Sequence, residues 1–123
     1  MSKYKAHQRY RLADNTICPG VTTVTGILGM NKGVLVRWAN RIGLEGIDSS
    51  KYVDSKATIG TLAHAMVTDK LQGIETDTSD YSKNDIDRAE NSALSYYAWE
   101  RGKEIEPILI EESLISNRHK FGG

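Results

Sequence analysis

Apolar positions recur at helical spacing in three stretches of this chain, and short alternating or unbroken apolar runs fill the remainder. From Lys32 to Ile42, residues Leu35, Trp38, Ala39 and Ile42 fall on one face while Lys32, Arg37 and Arg41 lie elsewhere, with Gly43 placed to end the helix. The longest helix is expected from about Tyr52 to Gln72, with Ser49 or Ser50 as its cap and Gly73 as its stop. In it, Ile59, Leu62, Ala63 and Met66 form one apolar stripe. Gly60, His64, Val67 and Leu71 form a second, roughly 100° further round. A helix apolar on two sides is expected between two layers, which would leave His64 half buried. Behind Ser82-Lys83-Asn84-Asp85, a capping box with Asp in place of Glu, Ile86, Ala89, Ala93, Leu94 and Tyr97 keep the period to about Arg101. Gly102 stops that helix. Tyr96 and Trp99 lie off its stripe, where aromatic rings cover a core edge or stack bases.

Tyr10-Arg11-Leu12 and Thr16-Ile17-Cys18 read as two short strands around an Asp14-Asn15 turn, ended by Pro19-Gly20. Val21 to Leu28 is threonine-rich and reads either as a short helix with a threonine cap, stopped by Gly29, or as a small hydrogen-bonded turn with no ligand, the commoner case for such an opening. Residues 74–82 form an acidic linker. Pro107 to Ser116 predicts the one long strand, Asn117 to Lys120 a polar turn, and Phe121-Gly122-Gly123 the start of a second strand. One strand and half a hairpin cannot make a sheet that three helices would cover, so the pattern reads as an architecture cut in its middle.

Composition narrows the function classes only a little. The chain has 123 residues, enough for one domain with a modest core. Lysine plus arginine and aspartate plus glutamate each total 16, so net charge does not announce a nucleic-acid binder. Cys18 is the single cysteine, which rules out an intrachain disulfide and fits a reducing compartment. No secretory signal and no apolar run of membrane-spanning length is present, and the expectation is a protein without membrane contact.

Nor does the chain hold a glycine-rich phosphate loop, a paired-cysteine zinc pattern or a nucleophile elbow. His7 and His119 lie in polar segments and are expected in solvent. What remains is His64 with Glu111-Glu112. His64 is either a core histidine satisfied by a hydrogen bond, or a metal ligand or acid/base held on a rigid helix.

Taken in order, Cys18-Pro19-Gly20-Val21-Thr22-Thr23-Val24, the Leu35…Trp38 helix, Gly60-Thr61-Leu62-Ala63-His64, Glu111…Ser116 and Phe121-Gly122-Gly123 resemble the front of the PD-(D/E)XK nuclease superfamily, in its RecB-like and phage exonuclease branch. The resemblance implies a restriction-endonuclease-like α/β fold. Residues 1–123 would be its helix-rich N-terminal portion: a short hairpin, three main helices, then the first core strands. By position His64 matches the metal-binding histidine and Glu111, rather than Glu112, the strand glutamate of the catalytic site. Gly20 stands where serine is usual. The aspartate expected after Gly122-Gly123, the Glu-x-Lys pair and the later strands are not among these residues. The implied activity is Mg²⁺- or Mn²⁺-assisted hydrolysis of DNA phosphodiesters. This chain alone, with those carboxylates missing, is expected to bind the ion weakly and to be inactive. DNA would be met by Lys32, Arg37, Arg41, Lys51 and Lys56. The alternative is a non-catalytic phage-type protein on the same scaffold, binding nucleic acid or a protein partner such as a host nuclease complex. A partner chain could add to the edge of strand 107–116. The resemblance places the protein in the cytoplasm of a bacterial or phage-infected cell.

Overall fold

The structure is a computed structural model and describes residues 8–29 and 32–123; His7 lies outside them. Among the described residues it is a mixed protein of four helices and two two-stranded sheets, in the order β1 (Tyr10–Arg11), β2 (Ile17–Cys18), α1 (Val21–Gly26), α2 (Gly33–Leu44), α3 (Ser49–Gln72), α4 (Lys83–Glu100), β3 (Ile115–Ser116) and β4 (Phe121–Gly122). No helix among them is long and apolar enough to cross a membrane. They cluster into two compact units, Ser50–Glu111 and residues 8–49 with 112–123.

The first unit is a helical hairpin. Leu62, Ala63 and Met66 of α3 bury against Ala89 and Ala93 of α4, and Ile59, Val67, Tyr81, Ile86 and Tyr97 close the edges. The first apolar stripe is therefore the core stripe. Small residues on α4 let the helices approach closely, and Leu62, with no exposed surface, contributes about 1.5–3 kcal/mol by burial. The Tyr97 hydroxyl donates to the Met66 carbonyl oxygen at 3.1 Å, so its ring wedges the pair without leaving a polar group unpaired. α4 starts where the capping box predicts, with Ser82 Oγ accepting from the Asp85 N–H at 3.2 Å. α3 starts earlier than expected, at Ser49. It stops at Gly73, whose φ of 71° permits the bonds from Ile74 N–H to the Asp69 carbonyl (2.8 Å) and from Gly73 N–H to that of Lys70 (3.1 Å).

The second unit joins two hairpins and two helices. β1 pairs β2 and β3 pairs β4, both antiparallel, and a parallel bridge between Gly20 and Gly122 links the hairpins. The Tyr10 ring lies against that bridge. A Cβ at Gly122 would come 2.4 Å from its Cγ, and one at Gly20 would come 3.2 Å from its Cε2. This crowding accounts for glycine at both positions. Cys18 is buried here, and the Asn117 side chain accepts from the Ala13 N–H at 3.2 Å, tying one hairpin turn to the other.

Several expectations are corrected. α1 is capped by Gly20 without a side-chain bond, while Thr25 turns its hydroxyl back to the Val21 carbonyl at 3.1 Å. α2 runs through Gly43 to Leu44, and beyond it Gly46, with φ of 79°, allows the Ile47 N–H to reach the Ile42 carbonyl at 3.0 Å. The long strand 107–116 is not formed. Only Ile115 and Ser116 lie in a strand, because the facing residues reach no further than a pair of bonds between Leu114 and Gly123 (2.7 and 2.9 Å). Upstream, Glu111 takes a left-handed φ of 52°, which ends any extended run.

Candidate functional site

His64 is carried on the middle of α3, and its position follows from helix geometry. With Leu62, Ala63 and Met66 turned into the core, residue 64 must point away from α4. The expectation of a half-buried histidine is thereby corrected: its side chain is 62% exposed, while Val67 of the same stripe packs against the core. What meets the ring is a carboxylate. His64 Nε2 lies 2.8 Å from Glu111 Oε1, and the Glu111 side chain is itself 58% exposed.

Glu111 makes this contact from a left-handed backbone conformation, with φ of 52°. A residue with a Cβ in the left-handed region costs roughly 1–2 kcal/mol, whereas an exposed ion pair contributes about 0–1 kcal/mol. Stability alone does not favour the arrangement. An outlier of this kind, held where two ligand-type side chains meet, is a reason to ask what else the pair does.

As a cation site the pair is half built. Two ligands at right angles around an ion, each at about 2.1 Å, lie ~3.0 Å apart, close to the observed spacing. The number of donors falls short. Mg²⁺ and Mn²⁺ call for several oxygen ligands, and among the described residues no group of three or more His, Cys, Asp or Glu side chains converges. One nitrogen and one carboxylate do not fit either ion by themselves. Glu112 is exposed and belongs to the other unit.

The five cationic residues fall into two sets. Lys32, Arg37 and Arg41 are exposed on and before α2 in the second unit, with Arg37 and Arg41 one turn apart. Lys51 and Lys56 are exposed on the first turns of α3, and Lys56 Nζ rests 5.4 Å from the Tyr52 ring centre. Five residues of helix put those two lysines roughly 140° apart around the axis. His119 is exposed, and its backbone N–H, donating to Ser116 Oγ at 3.1 Å, closes the β3–β4 turn.

Sequence reasoning passed over a second feature of the first unit, a groove of about 770 Å³ between the C-terminal half of α3, the residues after it and α4. Its one signal is Ile74, an apolar residue at the head of the acidic stretch. Comparison with models of protein families, with curated proteins and with solved structures gave no match.

Proposed function

We propose that this chain is a DNA-directed protein of the PD-(D/E)XK nuclease type, on a restriction-endonuclease-like scaffold, and that these 123 residues do not hydrolyse DNA by themselves. The observation that carries the reading is the His64–Glu111 pair, a nitrogen and a carboxylate oxygen 2.8 Å apart from positions 47 residues distant in sequence. The order of motifs around it supports the same reading. His64 and Glu111 would be two ligands of a divalent-cation site that needs further carboxylates to hold its ion. Their joint affinity for the ion is weak because two donors cannot replace an ion's hydration shell.

Paramagnetic Mn²⁺ tests this directly. Added to the purified chain, it should broaden the imidazole signals of His64 well before those of His119, and Glu111→Gln should abolish the preference. Equal broadening of both rings would remove the site. Metal-dependent degradation of linear DNA by the wild-type chain, lost in His64→Ala, would instead overturn the inactive half of the proposal.

A second reading is favoured by the same shortage of donors. A non-catalytic relative that binds nucleic acid or a protein partner needs no cation. The exposed apolar residues Ile27, Leu28, Leu35 and Leu44 of the second unit would serve such binding.

A further inference from the structure

We infer that the groove between α3 and α4 binds a short apolar helix with basic flanks from a protein partner, separately from any contact with DNA. Its lining mixes apolar and polar side chains: Met66 and Ala93 are buried at the bottom, Ile86 and Tyr97 are half buried, Ile74 and Leu94 are each 57% exposed, and Thr76 and Thr78 join the charged residues beside them. Hydrogen bonds hold two of the lining residues. Ile74 is set by the hydrogen-bonded stop at Gly73, and Tyr97 by its hydroxyl bond to the Met66 carbonyl. A volume of about 770 Å³ lies within the ~300–1,000 Å³ range of ligand clefts, and a trough beside two packed helices suits the side chains of a third.

Charge selects the occupant. Lys70, the one cation on the lining, is already engaged, with Nζ 3.0 Å from Glu100 Oε2 and 4.2 Å from the Tyr97 ring centre. Glu75 and Glu90 also line the groove, and among the described residues neither has an ion-pair partner. Residues 69–94 hold seven acidic and three basic side chains in a chain whose net charge is zero. A phosphate backbone is repelled from such a trough, while lysine or arginine beside an apolar ridge is attracted. Lys51 and Lys56 sit on the same helix but at its other end, with Lys56 about 21 Å of helix rise from Lys70.

The probe is a synthetic helix with leucines at i, i+3, i+4 and i+7 flanked by lysines, beside a twin flanked by glutamates. The lysine-flanked peptide should bind saturably and shift the amide signals of Ile74, Ala93 and Leu94. Leu94→Lys, a change at an exposed rim that leaves the core intact, should weaken it about tenfold or more. Charge reversal at both Glu75→Lys and Glu90→Lys should exchange the preference between the twins. No binding, equal binding of both peptides, shifts outside the groove, peptide displacement by duplex DNA, or occupation of the groove by a second copy of the chain would each overturn the proposal.

Discussion

Asp14 shows how a single side chain can hold a turn. Its carboxylate accepts from the Thr16 N–H at 3.0 Å, bridging the β1–β2 turn in which Asn15 takes a left-handed φ of 69°. Hydrogen bonds from Thr16, foremost among the causes, hold the Asp14 carboxyl below its ordinary value. A pKa lowered by folding means the contribution is present above the unfolded value, ~3.9, and lost as pH falls through the folded one. Hydrogen exchange at the Thr16 amide should therefore lose protection as the pH drops below about 3.9, and Asp14→Ala should remove that pH dependence. Glu111 is the contrasting case, since its unfavourable φ is not repaid by an exposed contact with His64.

The helices differ in how their ends are made. α4 has a side-chain cap and α1 has none. Ser82→Ala should lower the stability of the first unit by about 1 kcal/mol, read from denaturant midpoints at constant slope. At their C-termini α2 and α3 share one device, a left-handed glycine followed by isoleucine, at Gly46-Ile47 and Gly73-Ile74. The shared Gly-Ile pair was there to be read. Gly43 misled because an isolated glycine inside a helix costs only ~1 kcal/mol, less than the packing of Ile42 recovers. The strand expected over 107–116 failed for the opposite reason. Strand propensity in Ile108-Leu109-Ile110 finds no paired strand among the described residues, and Ile108 is left 88% exposed.

For the molecule as a whole, the two units carry different burdens. The core cluster of the first unit joins α3 to α4, whereas among the described residues Cys18 and Ile42 are the buried hydrophobics of the second. The proposed binding to DNA is testable at the lysines of the first unit. Binding to linear duplex should weaken with salt, and Lys51→Ala or Lys56→Ala should each reduce the slope of log K against log salt by about 1 without changing sequence preference. A slope unaffected by either change would remove those lysines from the interface, leaving Lys32, Arg37 and Arg41 to be tested alone. Fluorescence anisotropy of labelled duplex across a salt series makes the measurement.

Local interactions were legible along the chain. The cap at Ser82, the stop at Gly73 and both hairpin turns depend on contacts within a few residues, and the core stripe of Leu62 and Met66 shows in its helical period although what it packs against, Ala89 and Ala93, lies far along the chain. Whether the second face of α3 would be covered, and whether residues 107–114 would find a facing strand, depends on segments far away in sequence, which no local pattern encodes. Tertiary structure decided that His64 meets solvent and Glu111 instead of an apolar layer, and that Ile74 and Leu94 border a groove. The reason is physical: a side chain's spacing fixes which way it points, but only the fold supplies what stands opposite.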